Sequence, residues 1–338
     1  MEETAMEVLI VNQSEVSQLL PMKECMEVMK EALGALARGK VILPLRPVMW
    51  LPEKVGALGM MPAYAGELQV MGLKVVSVFP GNHGTPYDSH MGAVMIFETK
   101  HGQPLAIMDA TEITAIRTAA VSGVATRLLA REDAGDLAIL GTGTQAKSHL
   151  EAMLLCRKIR RVRVWSRNQQ NAVGFAGRES QRHEIKVEPV ATVKAAVEGT
   201  DLICTTTSSP DPILLGVYLS SGAHINAVGS SVPFAREVDT AAVVRSRLFV
   251  DRRESTLNEA GDFLIPKKEG AIGDDHIQGE IGEIVIGKIL GRKTPEEITL
   301  FKSLGLAIED IASAEHIYRK ALGKGMGTLV ELGGRREA

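Results

Sequence analysis

This chain has no excess of basic residues, and that absence excludes one class of partner before any motif is read. Lys and Arg number 38 against 41 Asp and Glu, a net charge of -3 with both signs interspersed, so no cationic stripe is available to pair with phosphate backbones. Nucleic acid is not expected as a partner. Cysteine is scarce as well. Cys25, Cys156 and Cys204 are odd in number, widely spaced and set in apolar segments, which is the pattern of reduced, buried thiols in a cytosolic protein. There is no CxxC pair, no GxSxG elbow and no Cys/His signature that would supply an activated nucleophile. Long apolar runs are missing too: none approaches the roughly 20 residues that span a bilayer. The acidic start "MEETAMEVLI" lacks the basic residues and apolar core of a secretory signal. The expectation is a soluble, cytoplasmic protein with no membrane partner.

What is present organises into two halves. A chain of 338 residues is about twice a typical single domain, so two cores are expected. In "SEVSQLLPMKECMEVMKEALGALARGK", Met22, Cys25, Met26, Met29, Leu33 and Leu36 recur at helical spacing and Gly39 stops the run. That Met stripe is read as core. From Arg46 the pattern changes to short apolar runs divided by Pro and Gly: "RPVMWL", "GALGMMP", "GLKVVSVF", "GAVMIFE" and "PLAIMD", with "ETKHGQP" as a hairpin turn. Then "TEITAIRTAAVSGVATRLLA", opened by Thr111 as N-cap, is a long helix. From Asp136 onward strand and helix alternate, with strands at "LAIL", "VRVWS", "DLICTTT", "HINAVG" and "RLFVD". Alternation of this kind implies a doubly wound parallel sheet, a Rossmann-type α/β domain. "SLGLAIEDIASAEHIYRKAL" is the last long helix, and only the tail "GGRREA" reads as disordered.

The first turn of that second half is "LGTGTQA", a GxGxxA form. Gly141 suits the tight turn, Gly143 the close approach of a pyrophosphate, and Ala146 the packing of helix on strand. The following helix would aim its free N–H groups and positive dipole end at the phosphates. After the second strand the chain reads Ser166, Arg167 and Asn168, with none of the acidic residues that accept from the ribose hydroxyls of NAD. Arg167 can pair with a 2'-phosphate through its guanidinium fork. NADP(H) is therefore expected to be preferred, with NAD(H) still usable.

"IMDATEITAIRTAAVSGVAT", "LGTGTQA", "SGAHINAVGSSVP" and "LFKSLGLAIEDIASAEHIY", in this order and spacing, resemble the ornithine cyclodeaminase and mu-crystallin family over nearly the whole chain. The resemblance implies a homodimer in which residues 1–117 with 304–338 form a mixed α+β substrate-binding and dimerisation domain, with a Rossmann domain at 118–303 inserted into it. The first third of the chain would then build the substrate pocket. Arg46 in "LPLRPV", Lys74 in "GLKVV" and Arg117 in "AIRTAA" are cations in apolar contexts, where an unpaired charge is costly, and together they suit a carboxylate. In the family the matching positions hold the carboxylate of an amino or imino acid, with Lys74 also near the reacting nitrogen. Resemblance likewise implies that Ser89, His90, Thr118, Thr144, Gln145, Thr207, Ser208, Val228 and Ser303 touch the cofactor.

Departures from the cyclodeaminases narrow the chemistry. Those enzymes carry an Asp two residues after "NAVG" as acid/base and a Glu shortly before the "MP" of the "GMMPAY" segment. Here Ser231 and Gly59 stand at those positions. A serine hydroxyl with no base beside it cannot take a proton at neutral pH, and the mu-crystallin side of the family, ketimine reductases, also has serine there. The reading is an oxidoreductase that delivers hydride to the C=N bond of a small imino acid, such as a cyclic pyrroline or piperideine carboxylate, giving an L-amino acid. Arg46 and Arg117 would clamp the carboxylate and Lys74 would polarise it, with Lys74, Arg117 and Ser231 as the catalytic set. Two other activities remain open, an alanine dehydrogenase-like reductive amination of a 2-oxo acid and ornithine cyclodeamination, as does a non-enzymatic, crystallin-like binding role. No metal is expected, because Asp274, Asp275, His276 and Glu280 fit no zinc or calcium spacing. His83, His101, His183 and His316 read as solvated and His224 as packed.

Overall fold

The Met and Leu spacing of the N-terminal third does form a helix, and a computed structural model describing residues 7–82 and 85–333 shows what it covers. The expectations for His83 and for the tail beyond Gly333 lie outside the described residues. Two compact units are present: one holds the chain up to Arg117 together with the chain from Leu306 onward, and the other is Thr118–Gly305.

In the first unit, strand β1 (Glu7–Val11) leads into α1 (Gln13–Leu19), where Asn12 and Glu15 form a capping box, and α2 (Met22–Ala37) follows. The run from position 41 gives β2 (Val41–Ile42), β3 (Val48–Trp50), β4 (Ala57–Ala65), β5 (Val70–Val78), β6 (His90–Glu98) and β7 (Pro104–Asp109). The turn between β6 and β7 is closed by the Glu98 carboxylate, which accepts from the N–H groups of Lys100, His101 and Gln103. Helix α3 (Ala110–Leu129) begins earlier than expected. Asp109 caps it by accepting from the Glu112 N–H at 2.8 Å, while Thr111 lies inside the first turn and donates to the His90 carbonyl. A carboxylate placed at the positive end of the helix outcompetes a hydroxyl two residues further in.

The second unit runs β8 (Asp136–Leu140), α4 (Thr144–Cys156), β9 (Arg161–Trp165), α5 (Gln169–His183), β10 (Val187–Pro189), α6 (Val193–Val197), β11 (Leu202–Thr205), β12 (His224–Ala227), α7 (Thr240–Val244), β13 (Ser246–Val250), α8 (Arg253–Glu259), α9 (Gly261–Lys268), β14 (Ile277–Glu280), α10 (Ile281–Val285) and β15 (Ile298–Lys302). Its sheet has the order β10-β9-β8-β11-β12-β15-β13-β14, with every adjacent pair parallel. The central strands β8, β11 and β12 are buried along nearly their whole length, as strands of a parallel sheet covered on both faces are. Three strands were not expected from sequence. β15 is the consequential one: it inserts between β12 and β13, and all five of its residues are buried, Lys302 included. A lysine at the end of a short run hides a buried strand, because burial of its charge depends on partners far away in sequence.

The chain closes the first unit with α11 (Ala307–Lys324) and β16 (Thr328–Glu331). That unit's sheet has the order β16-β1-β7-β6-β5-β4-β2, with β3 also on β4, and only β1 and β7 run parallel. Along β4 burial alternates residue by residue, with Ala57, Gly59, Met61, Ala63 and Ala65 on the covered face. Helix α11 lies against β4, β5 and β6 and against α2, and its N-terminal half is buried all round. Of the three cysteines, all free thiols, Cys25 and Cys204 are buried, while Cys156 is half-buried where a buried thiol was expected. Burial pushes the Cys25 and Cys204 thiols up to about 12, which leaves them inert. Among the described residues no helix is long and apolar enough to cross a membrane.

Candidate active site

Strand order runs outward from β8 in both directions, so the switch point of the doubly wound sheet lies between β8 and β11, where such sheets bind ligands at their C-terminal ends. The "GTGTQA" turn sits there. Gly141 has φ +121°, and a Cβ on it would stand 2.8 Å from the Thr206 carbonyl oxygen at the end of β11, so only glycine fits. Gly143 faces open space and is the N-cap of α4 with no side chain capping the helix, which leaves the first N–H groups of a 13-residue helix without a side-chain acceptor at that cap. Ala146 is fully buried against the sheet. These residues fit a pyrophosphate. Past β9, Ser166 accepts from the Thr142 hydroxyl at 3.4 Å, and Arg167 is exposed, with no hydrogen bond or ion pair among the described residues. Asn168 is committed within the chain: its side-chain oxygen caps α5 by accepting from the Gln170 N–H at 2.9 Å.

Neighbouring strand ends gather most of the other expected contacts of this unit. Thr207 and Ser208 follow β11, Val228 and Ser231 follow β12, and Ser303 follows β15, three strands that are adjacent in the sheet. Ser231 is exposed, whereas its neighbour Ser230 is buried and donates to the Ala235 carbonyl. Thr118 begins this unit in α3. Ser89 and His90 belong to the first unit, where the Ser89 hydroxyl and His90 Nδ1 lie 3.0 Å apart. His224 is packed, as expected, 2.9 Å from the Thr299 hydroxyl, and burial pulls it down to about 3, so it is neutral. His316, expected to be solvated, instead pairs with Glu24 at 3.1 Å.

In the first unit the three expected cations do not stand together unpaired. Lys74 on β5 and Arg117 on α3 are both buried, and each already meets a carboxylate from the first turns of α11. Asp310 bridges them, with Oδ2 at 2.8 Å from Lys74 Nζ and Oδ1 at 2.9 Å from Arg117 Nε, and Glu309 takes Arg117 Nη1 at 2.7 Å. Both acids are fully buried. Two cations and two anions make this quartet formally neutral. Burial, then Arg117, pull the Lys74 ammonium down to about 8, against the upward pull of Asp310. For Arg117 burial lowers the affinity for its proton, yet Asp310 and Glu309 outweigh it and the guanidinium lies above its ordinary value. Donors remain nonetheless: Lys74 uses one N–H on Asp310 and a second on the Thr114 hydroxyl at 3.4 Å, and Arg117 keeps its Nη2 group, which has no partner among the described residues. Arg46 is half-buried on the segment between β2 and β3.

Glu309 and Asp310 escaped the sequence reading although the signal was there. They sit in "GLAIEDIASA", two charges in an apolar, small-residue helix, and the rule that singled out the cations applies equally to them.

A turn shaped for a dinucleotide, combined with charged groups that can orient a substrate without a covalent nucleophile, is what hydride transfer requires, and the chain is an oxidoreductase. It belongs to the ornithine cyclodeaminase/mu-crystallin family, whose model matches residues 6–325. It is 36% identical over 324 residues to a Delta(1)-pyrroline-2-carboxylate reductase of Bacillus cereus (strain ZK / E33L), covering 96% of this chain and 99% of that one. Mouse ketimine reductase mu-crystallin is 40% identical over 280 residues, 83% of this chain and 85% of the relative. Among solved structures, the Delta(1)-pyrroline-2-carboxylate reductase of Thermococcus litoralis, in complex with NADH and L-proline, matches with a TM-score of 0.93 and 40% identity over 96% of this chain and 100% of that one.

Proposed function

We propose that this enzyme reduces the C=N bond of a small imino acid, a cyclic ketimine such as pyrroline- or piperideine-2-carboxylate, to the L-amino acid, with a nicotinamide dinucleotide as hydride donor. The observation that carries the reading is the buried Lys74–Asp310–Arg117–Glu309 array with its spare N–H donors. Arg117 Nη2 and Arg46 hold the substrate carboxylate, and the remaining Lys74 N–H is directed to the imine nitrogen. Asp310 fixes both cations in place, so no reorganisation is needed when substrate arrives. Gly141, Gly143, Thr144 and Gln145 hold the pyrophosphate, and Thr118, Ser89, His90, Thr207, Ser208, Val228 and Ser303 complete the cofactor's surroundings. Bound there, the reduced nicotinamide supplies the hydride. Ser231 can orient a group by hydrogen bonding but cannot serve as a base, which disfavours the repeated proton transfers of cyclodeamination.

NADPH is the preferred donor in this reading, supported by the uncommitted Arg167 and the absence of an acid after β9. Steady-state oxidation of NADPH and NADH across cyclic ketimines, 2-oxo acids with ammonia, and ornithine with catalytic NAD tests the whole proposal. Ketimines should be turned over fastest. Proline and ammonia from ornithine, or faster turnover of the 2-oxo acids, would overturn it. In the same assay Arg167→Ala should erase a preference for NADPH of about ten- to a hundredfold, the range for charge-assisted hydrogen bonds, and leave NADH turnover nearly unchanged. A wild-type enzyme that prefers NADH shows that this arginine serves solvent only.

Self-association is part of the proposal. The sheet face of the first unit opposite α11 carries Leu58, Met60 and Tyr64 of β4, Met71, Leu73 and Val75 of β5, and Met91 and Met95 of β6, all half-buried or exposed. Contiguous apolar surface of this extent marks an interface. A homodimer is the expected species in sedimentation at micromolar concentration, and a monomer would contradict it. Free thiols at Cys25, Cys156 and Cys204 suit a reducing cytoplasm.

A further inference from the structure

Glu237 takes no part in the chemistry described so far, yet it is fully buried at the C-terminal ends of the central strands. Its carboxylate receives four hydrogen bonds from two adjacent strand ends. The Thr205 hydroxyl (2.7 Å) and the Gly229 N–H (2.6 Å) donate to Oε2, and the Thr207 N–H and hydroxyl (both 2.6 Å) donate to Oε1. The fit excludes any side chain at position 229, where a Cβ would stand 2.0 Å from the Thr207 carbonyl oxygen and 2.6 Å from the Glu237 carboxyl carbon. Behind Glu237, its own N–H and that of Val238 donate to Asp262 Oδ1 at 2.8 and 3.1 Å, Asp262 pairs with Lys302 at 2.8 Å, and Lys302 donates to the Ser230 carbonyl at 2.5 Å. The result is a buried frame across β11, β12 and β15. A buried carboxylate held by four donors specifies one geometry, because each lost bond strands a partner away from water.

Position in the sheet says what the frame is for. In a doubly wound sheet the pyrophosphate lies at the first βα turn, here after β8, and the adenine-side ribose at the end of the next strand, β9, so the other half of the cofactor lies over the strands on the far side of the switch point. Those strands are β11 and β12. We propose that Glu237 is a positioning residue for the nicotinamide half of the cofactor, holding the turns that carry Thr207, Ser208, Val228 and Ser231 in register with the glycine turn. The inference rests on the dinucleotide-binding reading given above.

The test compares two ligands that share the adenine half and differ in the nicotinamide: NADH and ADP-ribose, titrated by protein fluorescence against wild type and Glu237→Gln. Glutamine keeps the shape but sets an NH2 group against an N–H or hydroxyl donor. NADH binding should weaken by about tenfold or more, while ADP-ribose binding stays within about twofold. Thr205→Val is the second variant. It removes one bond to Glu237 from a residue inside the strand and should weaken NADH about threefold with ADP-ribose unchanged, so it decides the matter if Glu237→Gln does not fold. Equal weakening of both ligands, or of neither, overturns the proposal. Wild-type protein that binds neither ligand overturns the dinucleotide reading and this inference with it, whereas wild type that binds both and a variant that fails to discriminate overturns the role of Glu237 alone.

Discussion

Arg117→Ala should reduce kcat/KM for ketimine reduction by about two to three orders of magnitude, the scale expected when a buried, charge-assisted carboxylate contact is lost. Arg117 is 4% exposed, and Nε and Nη1 of its guanidinium are held by Asp310 and Glu309, which leaves Nη2 for the carboxylate of the proposed substrate. The acids therefore act as a brace. They fix the plane of the guanidinium before substrate binds, so the enzyme does not spend binding energy on ordering a long side chain. Arg117→Lys should recover little, because an ammonium cannot reach two carboxylates and a substrate in one plane.

Loss of activity alone would not separate a clamp from a structural ion pair. Removing the cation leaves Glu309 buried and uncompensated, a change that costs about 3 to 5 kcal/mol of stability. Glu309→Gln in the Arg117→Ala background removes the stranded charge while Asp310 keeps Lys74. The double variant should regain most of the lost stability in thermal unfolding and none of the lost kcat/KM. Activity that returns with stability would reduce Arg117 to a structural role, and near-normal turnover in the single variant would remove it from the site.

The two halves of the fold were legible in sequence for different reasons. Strand and helix alternation after Asp136, and glycines at 141 and 143, are local signals: the first reflects burial on both faces of a parallel sheet, the second a backbone conformation that only glycine adopts. Lys74 and Arg117 were found because buried cations need partners, but the partners are 236 and 192 or more positions away and nothing local ties them together. Pairing between elements also hid Glu237, whose four donors come from three residues at the ends of two other strands, and β15, whose Lys302 is neutralised by Asp262. Thr111 failed for a local reason, since two capping candidates two residues apart compete and the sequence does not rank Asp109 above it. Chemistry that depends on residue type survives the reading of a sequence, and chemistry that depends on pairing does not.

The pairing makes a pH prediction. Lys74 is held near 8 by burial and by Arg117, with Asp310 pulling the other way, so its ammonium predominates below pH 8 and is lost above it. A reduction that needs that ammonium at the imine nitrogen should run at full rate on the acid side of 8 and fall toward tenfold per pH unit on the alkaline side. Stability follows the opposite sense. The folded chain gives up the Lys74 proton near 8 while the unfolded chain keeps it to 10.5, so the unfolded state binds more protons across that window and this group's contribution to stability rises with pH there. Asp310→Asn removes the charge that raises the Lys74 value, so the alkaline limb of kcat/KM should move to lower pH. A limb displaced by one pH unit leaves about a tenth of the ammonium at a pH where the wild type retains about half. The substrate's own titration is identical for both enzymes, and the displacement between the two profiles therefore belongs to the protein. Superimposable profiles would show that Asp310 does not set the charge on Lys74, and a limb that moves to higher pH would reverse the sign of the coupling argued from the 2.8 Å contact.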